Sequence, residues 1–235
     1  MIVYFARDIN MKKTKYLLSI FYLLILGLQN TLSQVVESNY KKMSMEQKRL
    51  IIAPLSIGSI DSSFTEEYPE IQNPRDSLMH LIENDLPSRI RKYSPLRSMY
   101  FSTYKNTPVF SKRTLFLSSS ASFEVSLPHD DEKLQMNLLG LKPTEPDFIL
   151  YLQIDKIRYT ESLIIDSNMK LEKREGIVLE NVKYVFWDNK IGRIAAYNQS
   201  SILIEVGLEK FVGLLARYIL TRTPFSSPDM PYFPS

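Results

Sequence analysis

Residues 148–159 read FILYLQIDKIRY, and this stretch decides the fold. It is the most strongly apolar strand-like run in the chain, which places it in the middle of a sheet. Ahead of it, residues 128–147 carry prolines, an acidic patch and a glycine, the chemistry of a loop. Behind it, Glu161 to Lys173 reads either as a continuation of the strand or as an exposed turn. Ile177–Trp187 and Arg193–Ile204 then form a hairpin around Asp188-Asn189-Lys190-Ile191-Gly192, a length and composition suited to a turn. A closing helix is predicted from about Glu205 to Thr221. Leu208, Phe211, Val212, Leu215, Tyr218 and Ile219 form its buried stripe, with Glu209, Lys210, Ala216 and Arg217 opposite. Thr223-Pro224 stops it.

Upstream, Leu115 to Leu127 (LFLSSSASFEVSL) alternates for thirteen residues. Its odd positions are mostly apolar and its even positions mostly serine, which predicts one antiparallel strand with a wet face. Residues 98–110 are the expected hairpin partner. Arg49 to Ile57 (RLIIAPLSI) predicts a buried first strand whose second half lies near an edge or bulge because of Pro54. Ser59 to Asn73 reads as a loop. A helix follows, capped by Asn73, with Pro74 in its first turn and Leu78, Leu81, Ile82 and Leu86 on one face. Pro87 bends or interrupts it, and Ile90 continues the stripe. The predicted class is α+β: a mixed, mainly antiparallel sheet with two amphipathic helices packed on one face.

The amino terminus is read separately. Lys12, Lys13 and Lys15 precede the apolar stretch Tyr16–Leu28, and Thr31 and Ser33 place small residues ahead of a cut between Ser33 and Gln34. This is the pattern of a cleavable signal peptide. Thirteen residues fall short of the roughly 20 that a membrane span needs; the rival reading is an uncleaved anchor. Met11 is the expected true start. The domain plan is a presequence over 1–33, a polar leader over 34–48, a single α+β domain over 49–223, and a proline-rich tail over 224–235. The compartment that follows is periplasmic or secreted, with no stable membrane span left after cleavage.

Bulk composition narrows the chemistry. Hydrophobic residues make up 44% and aromatics 11% of the 235 residues, as in a globular chain. Arg7, Lys12, Lys13 and Lys15 against Asp8 precede residue 34, leaving 25 basic and 25 acidic residues in the remainder. A net charge of zero argues against a nucleic-acid partner, which requires surplus cations. A local basic patch of Arg89, Arg91, Lys92 and Arg97 reads as a solvated surface. The chain has no cysteine, which removes disulfides, thiolate catalysis, thiolate zinc sites and bacterial lipidation together.

Few residues offer catalysis. The histidines are His80, on the first long helix, and His129. His129-Asp130-Asp131-Glu132 is the cluster with metal-ligand character, yet neighbouring residues in a loop point apart and glycine-punctuated spacing is missing. The expectation is a solvated acidic loop, with no metal and no cofactor. Nucleophile-elbow, zinc-helix, phosphate-loop and dinucleotide patterns do not occur. The serines at 118–120 fit a wet strand face. Trp187 is expected to pack in the core or the hairpin.

RLIIAPLSI as opening strand, DFILYLQIDKI as central strand and YVFWDNKIGRIAAY before the closing helix carry a resemblance over residues 49–224. The chain resembles envelope proteins related to the TolB amino-terminal domain, including the curli-secretion lipoproteins and the lipoprotein activators of penicillin-binding proteins. Those families often show an aspartate before an apolar strand, and a Trp-Asp, turn, strand feature, at these places. The resemblance implies a non-enzymatic module that docks on envelope partners. The missing lipidation cysteine departs from the lipoprotein members and leaves membrane anchoring unsupported. The favoured reading is therefore an exported interaction or assembly module whose partner is another envelope protein. Phe225, Tyr232 and Phe233 of the tail are candidates for a partner's groove. The alternatives are a secreted hydrolase using Asp130, Asp131 or Glu132, and a small-ligand carrier with an apolar cleft between sheet and helices.

Overall fold

The apolar run at 148 is the spine of the sheet, as its composition predicts. The computed structural model describes residues 35–36, 48–100, 103–104, 108–137, 145–165, 171–205, 208–221, 223 and 225. The presequence, including Ser33 and Gln34, and the tail residues Tyr232 and Phe233 lie outside them. In chain order the strands are β1 (Val35–Val36), β2 (Arg49–Ile52), β3 (Ser56–Ile60), β4 (Arg97–Tyr100), β5 (Thr103–Tyr104), β6 (Phe110–Phe116), β7 (Ser122–Pro128), β8 (Met136–Asn137), β9 (Phe148–Ile165), β10 (Leu171–Asp188) and β11 (Arg193–Ile204). The helices are α1 (Ser62–Glu67), α2 (Pro74–Tyr93) and α3 (Leu208–Leu220).

The main sheet has the order β1-β11-β10-β9-β2-β4, with β3 also paired to β9. β9, β10, β11 and β1 are antiparallel neighbours, whereas β2 and β3 run parallel to β9 and β4 runs parallel to β2. The sheet is therefore mixed and mainly antiparallel. The opening run is split at Ala53-Pro54-Leu55, because proline cannot donate to a ladder. Both halves still reach β9: Ile51 pairs with Ile149, and Ile57 with Ile154.

The two long helices cover one face. Leu78, Ile82, Leu86 and Ile90 of α2, and Phe211, Val212, Leu215 and Ile219 of α3, are buried against Leu50, Ile52, Leu150, Leu152, Tyr184 and Phe186. Ala216, expected on the outer side of α3, is fully buried as well. A short side chain suits a close approach, and the stripe is wider than the sequence pattern suggests. Pro87 is buried and does not interrupt α2, which runs on to Tyr93. Asn73 precedes α2 in a left-handed conformation (φ 49°) and makes no side-chain cap bond, contrary to its expected role; its carbonyl instead accepts from the Ser77 N–H at 3.0 Å.

Two expectations fail upstream. Within Ser59–Asn73, α1 is helical, started by Asp61, whose carboxylate accepts the Ser63 N–H at 3.1 Å. Its single buried apolar residue, Phe64, offers no period for a sequence reading to find. The thirteen alternating residues from Leu115 are also not one strand. The run turns after Phe116, and the β6–β7 hairpin pairs Phe110–Phe116 with Ser122–Pro128, so that the partner lies mostly beyond residues 98–110, of which Phe110 alone takes part in it. The turn is held by Ser118 Oγ, which accepts from the N–H groups of Ser120 and Ala121 at 3.3 and 3.1 Å. The faces nonetheless come out as predicted. Each pair joins two odd or two even numbers, as in Leu115 with Phe123, so both arms share the apolar odd face.

That face covers the side of the sheet away from the helices. Leu115, Leu117, Phe123 and Leu127 pack with Val185, Tyr151, Ile194 and Tyr197. Beside them lie Trp187, Ile149, Ile51, Ala53 and Leu134, and Trp187 is the packing residue expected. Where the hairpin's cover ends, the same sheet face turns polar at Gln153, Asp155 and Lys183, with Lys183 Nζ 2.8 Å from Asp155 Oδ2.

A phase slip crosses three strands at one level. Along the helix-side core, Ile57 is followed by Ile60, Ile154 by Ile157, and Leu179 by Val182, three residues apart instead of two. These residues are mutual partners: Ile57 with Ile154, Ile60 with Ile157, Ile157 with Leu179, Ile154 with Val182. Asn181 takes φ 51° in this step. Gly58 is required there, since a Cβ would stand 2.3 Å from the Asp155 carbonyl oxygen.

The chain after α3 corrects a further expectation. Phe225, assigned to an extended tail, is fully buried. Its ring stacks on Phe186 at 4.3 Å between centroids and meets Phe148 edge-on at 5.0 Å. Its carbonyl accepts a hydrogen bond from the Ser94 hydroxyl. It is therefore a core residue and is not available to a partner's groove. The leader likewise contributes an element, because β1 pairs with β11.

Candidate functional site: a polar corner at the end of the sheet

The start of β2, the start of β9 and the β10–β11 turn meet at one end of the sheet. The two features behind the sequence resemblance, the aspartate before an apolar strand and the Trp-Asp turn, meet there. Asp147, its side chain 9% exposed, accepts the Arg49 N–H at 2.8 Å and lies 2.8 Å from Lys190 Nζ, with Lys48 and Arg49 at 3.9 Å. Its own N–H donates to the Arg49 carbonyl, and its carbonyl accepts from the Asn189 N–H, both at 2.9 Å. Burial pushes the Asp147 carboxyl up, but the Arg49 N–H and the Lys190 ammonium outweigh it and hold the group below the ordinary carboxylate range.

Asn189 is 2% exposed. Its amide nitrogen donates to the Leu134 and Pro146 carbonyls at 2.9 and 3.2 Å, and its oxygen accepts the Leu134 N–H at 2.7 Å. Asp188 shapes the turn, its carboxylate accepting the Lys190 and Ile191 N–H groups at 2.8 and 3.3 Å. Gly192 closes the turn at φ 65°, and a Cβ on it would lie 2.3 Å from Asp131 Cα. Turn and acidic loop are thus pressed together, with the Asp131 N–H donating to the Gly192 carbonyl at 2.9 Å.

The predicted acidic cluster is drawn into this corner as scaffolding. Asp130 pairs with Arg113 at 2.6 Å, its side chain 65% exposed, and Asp131 lies 4.0 Å from Arg193 at 77% exposure. Glu132 turns back to accept the His129 N–H at 3.2 Å. These carboxylates diverge. Among the described residues no three His, Asp or Glu side chains are grouped to hold a metal ion. Arg113, which the sequence reading did not single out, also donates to the Pro128 carbonyl at 2.5 Å and lies 5.6 Å from the Trp187 ring centre. It links the hairpin to the acidic loop and to the sheet.

The remaining candidates are dispersed. His80 is exposed on α2. Arg89 pairs with Asp85 one turn away at 2.8 Å, Arg91 and Lys92 are exposed on α2, and Arg97 belongs to β4. The serines at 118–120 form the hairpin turn. Between sheet and helices, where a carrier would hold a ligand, the described side chains form one buried apolar cluster that includes Phe225. Asn189 and Asp147 had a signal in the sequence, a turn and a strand start, but nothing there shows that the two would touch.

No helix among the described residues is long and apolar enough to cross a membrane. No family model matches the chain, and no curated protein matches it. Among solved structures, a PelC dodecamer from Paraburkholderia phytofirmans is similar at a TM-score of 0.37 and 12% identity, covering 84% of this chain and 97% of that one. A likeness that loose specifies neither assembly nor partner, and it does not single out the TolB-related type.

Proposed function

We propose that the chain is a non-enzymatic interaction or assembly module of the cell envelope, exported by cleavage between Ser33 and Gln34. The observation that carries this reading is the fate of the corner. The buried groups there, Asp147 and Asn189, are spent on backbone groups and cations of the chain itself, and the acidic residues beyond them diverge into solvent. A catalytic site needs the opposite arrangement, with titratable groups converging on one point. The export pattern of residues 11–33 supplies the compartment, and another envelope protein is the expected partner. We take the working unit to be one α+β domain that begins at β2 and ends on Phe225, with β1 added at its edge.

The test is fractionation of cells expressing the tagged full chain, with mass spectrometry of its amino terminus and cross-linking in the envelope fraction. The expected result is a chain beginning at Gln34 with a discrete cross-linked adduct. A cytoplasmic chain with its presequence intact would remove the proposal. So would a hydrolytic activity lost in Asp130→Asn or Asp131→Asn.

A further inference from the structure

We propose that two copies of this chain pair through the outer edge of β11, strand against strand. The inference names a partner for the module proposed above and rests on that reading for the mature amino terminus. Among the described residues, β1 is the strand that pairs with this edge, and it reaches only Tyr197 and Ala196. The seven residues Asn198–Ile204 (NQSSILI) have, among the described residues, no strand neighbour on that side. Two of their backbone groups are satisfied from within the strand: the Gln199 N–H by Asn198 Oδ1 at 2.9 Å, and the Ser201 carbonyl by the Ser200 hydroxyl at 3.3 Å.

An open edge is normally guarded by charge, proline or a covering element. From Ile194 to Ile204 there is no charged residue and no proline, and Leu203 is 44% exposed. The opposite edge strand, β4, opens on Arg97. Neutrality bears directly on the identity of the occupant. Two-fold pairing sets a strand against its own sequence, so any charge near the axis would meet its like. Centred on Ser201, antiparallel pairing sets Ser200 against Ile202 and Gln199 against Leu203 of the other copy, with a small residue on the axis. No like charges are opposed.

The direction of β1 adds a second argument. Val35 faces Tyr197 and Val36 faces Ala196 in antiparallel register. Val35 is thus the end of β1 nearer Asn198. Cleavage after Ser33 leaves Gln34 alone ahead of Val35, too little to cover seven residues. Processing and pairing are coupled in this arrangement, since the mature end leaves the edge open.

The test is sedimentation of the mature chain over concentrations from about 1 to 500 µM, with amide exchange of residues 199–203 followed over the same range. The expected result is a monomer–dimer equilibrium, with slower exchange at those amides as concentration rises. Leu203→Lys should weaken association at least about tenfold while leaving the melting temperature near that of the parent; Leu203→Met should behave as the parent. A monomer at every concentration would overturn the inference, as would a dimer indifferent to Leu203→Lys whose edge amides exchange at a constant rate. A monomer that still forms the envelope adduct would discard the self-pairing and leave the module reading standing.

Discussion

Replacing Phe225 with alanine tests whether the segment after α3 belongs to the core. The ring is fully buried, stacked on Phe186 at 4.3 Å and edge-on to Phe148 at 5.0 Å. Removing a buried phenylalanine costs about 3–5 kcal/mol through lost transfer energy and the cavity left behind. Each of the two aromatic pairs contributes roughly 0.5–1.5 kcal/mol beyond area burial, so Phe225→Leu, which keeps most of the volume, should cost about 1–3 kcal/mol. For a domain of this size, about 2–4 °C per kcal/mol puts Phe225→Ala roughly 6–20 °C below the parent. Urea and thermal unfolding can be followed by the fluorescence of Trp187, the chain's one tryptophan. That residue is fully buried on the other side of the sheet, so it reports the whole fold instead of the altered site. A loss of under about 0.5 kcal/mol, the range of surface substitutions, would refute the reasoning and return Phe225 to an exposed tail.

Asn189→Ala should cost about 2–4 kcal/mol, because the Leu134 N–H and two carbonyls lose their partner in a buried place; Asn189→Asp should rescue little, since a carboxylate cannot donate to those carbonyls, and urea unfolding reads both. Gly192→Ala should destabilise by at least about 1–3 kcal/mol, given its positive φ and the clash with Asp131, whereas Gly213→Ala, with 3.9 Å to the nearest Arg89 atom, should be neutral or mildly stabilising. Asp61 is held down to about 2 from 3.8, first by the Lys156 ammonium and then by the Ser63 N–H. A carboxyl lowered on folding stabilises fully above its unfolded value, and that share is lost as pH falls through about 2. The gap between parent and Asp61→Asn in a titration of urea midpoints should therefore be flat above pH 4 or so and close toward pH 2; a gap that persists unchanged at pH 2 would show that the bond to Lys156 does not set it.

Much of the architecture was legible because it follows from local periodicity. The β11 boundaries at Arg193 and Ile204, the turn Asp188–Gly192, and the stripes Leu78-Ile82-Leu86 and Phe211-Leu215-Ile219 each show their period within a few residues. The alternating run at Leu115 shows how such a reading both succeeds and fails. A strand and a tight hairpin of even register have the same odd and even faces, so burial was assigned correctly and the connection was not. The triple spacings Ile57–Ile60, Ile154–Ile157 and Leu179–Val182 carried a bulge signal that a strict period of two hides. The helix α1 gave no warning, with one buried residue and a six-residue length.

The linear chain, taken alone, determined the class of fold, which strand lies at the centre, and which face of each element is apolar, because burial follows side-chain chemistry repeated at the period of the backbone. Only the tertiary structure decided what the polar residues do. Asp147 and Asn189 stand 42 positions apart in sequence and meet because antiparallel pairing returns β10 to the start of β9. Phe225 enters the core because α3 ends above Phe148 and Phe186. Such contacts depend on where elements end in space, and no local pattern of residues encodes that distance.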